Sequence, residues 1–273
     1  MRYDVLVAGD YSIDLIFAGL PGLPESGREV ISNQFAQLPG ESYTSAVAMH
    51  RLGLRVGWAA DFGDDDLSAL ALRYARAEGL DEALFVHHQR PYRRISVAAS
   101  LPDDRAFISY YDPAPAQPAG FKALIATTAH VLYVPGFYGG LLFDAARLLV
   151  RAKRMQLIMD GNLTADLTLD SPGVRKTLSK VDVFLPNALE ARHLTGQDDL
   201  EQAARQLAAL GPAAPGADRR LAAGPGRRGA PGRPGRGRRR RLQLPAAVPA
   251  GDDRARLRAA RPRAPGARGG RRL

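Results

Sequence analysis

The sequence predicts an α/β fold: a mostly parallel sheet flanked by helices, with a small β-lid. Three observations lead there. Short apolar runs closed by Gly, Asp or Asn alternate with stretches of helical apolar spacing across residues 1–212. Two stretches, 28–38 and 93–111, break the alternation and read as extended chain that could form a separate small sheet. Of 273 residues, 45% are hydrophobic, enough for one large α/β domain or two smaller ones.

Each element has its own signal. "YDVLVAGD" (3–10) is a short apolar run ending at Gly-Asp, the pattern of a buried parallel strand. "REVISNQFAQLPG" (28–40) is extended and closed by Pro-Gly, and "SYTSAVAMHRLGL" (42–54) has helical spacing with a stop at Gly53. "VGWAADFG" (56–63) reads as a strand, and "DDLSALALRYARAEGL" (65–80) as an amphipathic helix ending at Gly79. "RRISVAASLPDDRAFISYY" (93–111) is a hairpin around Pro-Asp-Asp. Strands at 130–136, 156–162 and 181–187 then alternate with helices at 141–153, 188–196 and 199–211, with a loop and short helix after 162. Ligands in such sheets sit beyond the C-terminal strand ends. The polar residues there are Asp10, Asp14, Asp61, Asp160, Asn162 and Asn187.

Charge divides the chain. The net formal charge is +10, but residues 213–273 hold 18 Arg, 3 Asp and no Lys. The first 212 residues hold 20 basic and 25 acidic side chains, a mildly acidic body. There is no cysteine, which excludes disulfides and Cys-based zinc sites and fits a reducing, cytoplasmic setting. No apolar run reaches the roughly 18 residues of a membrane span. The acids Asp4, Asp10 and Asp14 argue against a signal peptide. The sequon at 162–164 lacks a secretion signal, and His87-His88 have no ligand partner at helical spacing and read as surface residues.

Five motifs occur in order: "VAGDYSID", "LPGESYTSAVAMHRLG", "FGDD", "LIMDGN" and "FLPNALEARHLTG". Together they resemble the ribokinase-like (PfkB) carbohydrate kinase family over about residues 1–212. The resemblance implies a ribokinase-like fold and ATP- and Mg²⁺-dependent phosphorylation of a sugar or nucleoside hydroxyl. It places substrate binding on Asp14, Gly40 and Thr44, and phosphate and Mg²⁺ binding on Asn187 and Glu190, with Glu190 serving the metal. It also implies that lid strands can pair between subunits, giving a homodimer. Pro39 and Thr44 stand where the family has Gly and Asn, so the particular sugar does not carry over.

The residues support these roles on chemical grounds. A sugar needs carboxylates and amides facing adjacent hydroxyls, and a Gly lets a substrate approach the backbone closely. Mg²⁺ takes few carboxylates plus waters and phosphate oxygens, so one Glu suffices. The bland readings stand beside them. Asp14 could cap a turn, the acids at 64–66 could be a solvated helix start, and Asn187 with Glu190 could be a cap and a surface acid.

The family's second signature, a Gly-Ala-Gly-Asp helix start whose Asp is the catalytic base, should follow the last body helix. It does not occur in the 273 residues, so no catalytic residue is assigned. Residues 213–273 use only Ala, Pro, Gly, Asp, Arg, Leu, Gln and Val, all of which have codons beginning with G or C. In GC-rich genes most third codon bases are G or C, so a shifted frame would give this alphabet. An out-of-frame tail is therefore expected, with impaired activity. In the shifted frame "GRGRRRRLQ" (235–243) permits a Gly-Ala-Gly-Asp sequence. "GPGRRG" (224–229) fits a dinucleotide-loop spacing but has no strand before it. The rival reading is a non-catalytic sugar-binding body with a genuine nucleic-acid-binding tail. Either tail should be disordered, being rich in Pro and Gly and poor in large apolar groups.

Overall fold

The computed structural model describes residues 2–101, 105–163 and 167–211. The expected tail at 213–273 and Thr164 of the sequon lie outside the described residues.

The chain opens with β1 (Arg2–Ala8), β2 (Ile13–Ala18) and β3 (Gln34–Pro39), followed by α1 (Ser42–Arg51). Next come β4 (Val56–Ala59), β5 (Asp61–Phe62), α2 (Asp66–Ala77) and β6 (Val86–His87). The hairpin is β7 (Arg94–Ser100) and β8 (Arg105–Tyr111), and α3 (Ala119–Ala126) follows. The remainder is β9 (Thr128–Val134), α4 (Leu141–Ala152), β10 (Gln156–Asp160), α5 (Val174–Leu178), β11 (Val183–Leu185), α6 (Ala188–Thr195) and α7 (Leu200–Leu210).

Five parallel strands form the central sheet in the order β11-β10-β9-β1-β4. Its strands are apolar on both faces because helices cover both. Within β1, Val5 and Val7 join Tyr43, Val47 and Ala71 of α1 and α2 in one core. Leu6 points the other way and joins Ala123, Leu124, Phe143 and Val150 of α3 and α4 in a second. A third core lies among α5, α6 and α7 around Leu178, Leu194 and Leu207.

The lid is a four-stranded sheet in the order β3-β2-β7-β8. β2 pairs with β7 in parallel and with β3 antiparallel, and β7 pairs with β8 antiparallel. The register puts Asp14, Ser96 and Ser109 in one row, with Arg94 opposite Tyr111 on the same face. The other face carries Phe17 beside Phe35, and Leu15, Val97 and Ile108 in a second row.

Several elements differ from the sequence reading. The extended stretch at 28–38 is strand only from Gln34, because its partner β2 ends at Ala18 and leaves 28–33 nothing to pair with. The Ser32 hydroxyl lies 2.7 Å from both the Ala18 and the Gln34 carbonyl oxygens, with one hydrogen to donate between them, at the point where pairing begins. Asp14 does not end the first strand; it is the second residue of β2, in the lid. The expected strand at 56–63 breaks at Ala60, since the Asp61 N–H turns to the Asp10 carboxylate (2.9 Å) and β5 pairs with β6 instead. Helix α3 was not anticipated. It is short, and its opening Ala119 N–H is held by the Asp61 carboxylate from a distant strand (2.7 Å).

Candidate active site

The site lies where β1 and its neighbours end and the lid begins. Asp10 follows β1 and is half-buried. One carboxylate oxygen accepts from the Asp61 N–H (2.9 Å) and the other from the Tyr92 hydroxyl (2.6 Å). Burial pushes its pKa up, while the Arg94 charge and these two donors oppose that. Asp61 is fully buried, and its Oδ1 meets His88 Nε2 at 2.7 Å. His88 is therefore a partnered side chain of the site wall rather than the surface residue the sequence suggested.

Asp14 and Gly40 touch. A methyl group on Gly40 would lie 2.2 Å from Asp14 Oδ2, so the glycine is needed to seat the carboxylate. The sequence reading gave that space to the substrate; here Asp14 occupies it. Gly40 N–H donates to the Ser12 carbonyl (2.6 Å), which locks β3 against the start of β2. Asp14 is half-exposed, and its pKa is raised by burial and by the nearby Glu41 charge, against the Ser12 hydroxyl. Glu41, the residue before α1, has φ 51°, a left-handed conformation suited to glycine. Its carboxylate accepts from Arg94 (3.0 Å). Arg94 also donates to the Tyr11 carbonyl (2.7 Å) and lies over the Tyr111 ring, 4.3 Å from its centroid. Thr44 is exposed on the first turn of α1.

A second group stands at the ends of β9, β10 and β11. Asn187 and Glu190 form a capping box on α6: Asn187 Oδ1 accepts from Glu190 N–H (2.9 Å), and Glu190 Oε2 accepts from Asn187 N–H (2.7 Å). The Glu190 carboxylate packs on Gly161, where a Cβ would lie 2.1 Å from Oε2. Asp160, the preceding residue, accepts from the Tyr133 hydroxyl (2.9 Å), and the Ser45 hydroxyl donates to Tyr133 (3.3 Å). Ser45 follows Thr44, so a chain of contacts joins the two groups.

The structure thus brings Asp14 to Gly40 and Asn187 to Glu190, with Thr44 beside the link between the pairs. The sequence reading missed Glu41, Arg94, Tyr111 and Tyr133 as site residues. Arg94 carried a signal: an arginine opening a β-branched strand must find a buried partner if it points inward. Beside Asp10, Asp61, Arg94 and Tyr138, a cavity of about 360 Å³ runs between α3 and α4 over Leu124 and Phe143. Among the described residues no cluster of three or more His, Asp or Glu could hold a metal alone. No helix there is long and apolar enough to cross a membrane.

This ribokinase-like fold, with carboxylates gathered between sheet and lid, defines a class of sugar-kinase-like α/β proteins. The pfkB family carbohydrate kinase profile matches residues 4–221, and the chain belongs to that family. Solved structures share the fold. The ribokinase of Arabidopsis thaliana, complexed with ribose and ATP, is 17% identical, with TM-score 0.58 over 77% of this chain and 70% of its own. A PfkB protein from Polaromonas sp. JS666 is 22% identical, with TM-score 0.53 over 76% and 73%. The fructokinase of Xylella fastidiosa with bound ATP is 18% identical, with TM-score 0.53 over 75% and 68%. No curated protein sequence matches the chain.

Proposed function

We propose that the site binds a sugar or nucleoside and that its parent chemistry is ATP-dependent phosphorylation of a hydroxyl. The observation that carries this is the Asp14 carboxylate, half-exposed on the lid's site face and seated on Gly40, in a chain of the carbohydrate kinase family. Asp14 accepts hydrogen bonds from adjacent hydroxyls. Thr44, exposed on the first turn of α1, adds a hydroxyl to the substrate contacts, and Gly40 serves by seating Asp14.

Asn187 and Glu190 serve the phosphate end. Glu190 commits one oxygen to the capping box and stands beside Asp160 and Gly161. A single carboxylate fits Mg²⁺ that keeps its waters and phosphate oxygens, and does not fit a fully protein-caged ion. When bound with ATP, Mg²⁺ would neutralise phosphate charge; this chain's residues orient the hydroxyl and exclude water from it.

Phosphoryl transfer also needs a base for the hydroxyl and an anion hole. No Gly-Ala-Gly-Asp sequence occurs in the 273 residues, so we infer impaired turnover and a kinase-like body ending near 212, with 213–273 read out of frame. The lid's apolar face, with Phe35 60%, Ile108 77% and Tyr110 53% exposed, supports a homodimer through the lid. The 18 arginines of 213–273 support a second reading, a sugar-binding body with a nucleic-acid-binding tail. That reading requires DNA binding that weakens steeply with salt and vanishes when 213–273 is deleted.

The test of catalysis is an ADP-release assay with Mg²⁺, ATP and a panel of sugars and nucleosides. The expected result is turnover far below the roughly 1–100 s⁻¹ of ordinary kinases. Ordinary rates would refute the inference drawn from the tail.

A further inference from the structure

We propose that this pocket admits polyols that are neutral or carry an amino group and turns away sugar acids and sugar phosphates, with Glu41 setting the selection. The proposal rests on the polyol reading above. Asp14 and Glu41 flank Gly40, and Asp10 lies within electrostatic reach of the same arginine, Arg94. Asp10 accepts from the Asp61 N–H and the Tyr92 hydroxyl, which favour its charged form against the effect of burial. Glu41 and Asp10 therefore share one guanidinium, and Asp14 stands within reach of the Glu41 charge.

That guanidinium is committed. Arg94 donates to the Tyr11 carbonyl (2.7 Å) and to Glu41 (3.0 Å), and stacks on Tyr111. Of the neighbouring arginines, Arg93 pairs with Asp112 (3.0 Å) and Arg147 with Asp182 (2.9 Å), while Arg90 lies over the Tyr92 ring and donates to the Pro91 and Pro113 carbonyls. Arg105, on the lid's site face, stands at the outer end of β8 against the Phe107 ring. An anionic substituent brought to Asp14 meets like charge, and the nearest cation is already neutralised by Glu41. An ammonium meets the reverse.

Glu41 is also an unusual choice for its place. A side chain at φ 51° is strained where glycine would not be, and such strain gathers at functional positions. The start of α1 is where a substrate anion would be drawn by the helix dipole, and Glu41 places the chain's own carboxylate there.

The experiment is isothermal titration calorimetry of the full chain with matched probes. D-ribose, D-fructose, D-glucosamine and adenosine are compared with D-ribose 5-phosphate, D-fructose 6-phosphate, D-gluconate and adenosine monophosphate. At least one neutral or amino probe is expected to bind, with its charged counterpart at least tenfold weaker. Glu41→Gln removes one of the two carboxylates that balance the Arg94 charge and is expected to narrow that gap by about tenfold. A charged probe that binds the native chain as tightly as its neutral counterpart overturns the selection and leaves the polyol reading standing. A gap unchanged in Glu41→Gln overturns the assignment to Glu41. Binding of no neutral probe overturns the polyol reading and this proposal with it.

Discussion

Asp14 is placed by short-range steric facts. Its carboxylate fits only because residue 40 has no side chain, and its charge is destabilised by burial and by Glu41. A carboxylate accepts from sugar hydroxyls and a carboxylic acid does so less well, so its pKa sets a pH limit on binding. The pKa is raised above the ordinary 3.8, so affinity falls as pH drops through a window lying above that value. Asp14→Asn is expected to weaken binding and flatten this acid limb, as titrations across pH would report. Asp14 and Gly40 were legible in sequence because the motif places an acid after one strand and a glycine after the next. Their mutual contact was not legible, since it depends on β2 folding into the lid beside β3.

At the scale of elements, the long periodic segments were readable and the short ones were not. Helices α2, α4 and α7 carry apolar residues at helical spacing, and Asp65 and Asp199 at their starts accept backbone N–H bonds as caps. β2 was hidden because "IDLIFA" follows β1 after four residues and reads as its continuation. α3 was hidden because its start is held by Asp61, 58 positions earlier. The Asn187–Glu190 pair shows both of its readings at once: a complete cap whose carboxylate also stands beside Gly161 and Asp160. Asn187→Ala is expected to cost about 1 kcal/mol. That corresponds to a fall in melting temperature of about 2–4 °C for a body of this size, read by calorimetry. No change in melting would mean that the box contributes nothing to stability.

At the scale of the molecule, the charge asymmetry and the missing signature were legible because both are properties of composition and of order. The apolar lid face emerges only from strand register, which aligns Phe17 with Phe35 and Val97 with Ile108. Sedimentation is expected to show a dimer, and Phe35→Glu combined with Ile108→Glu is expected to shift it to monomer. A monomer at all concentrations would remove the lid from the assembly. The measurement that bears most directly on the account is calorimetric titration of native chain and Asp14→Asn with a panel of sugars and nucleosides. The expected result is saturable binding of at least one polyol by the native chain, weakened tenfold or more in Asp14→Asn. Equal binding by both chains would contradict the account.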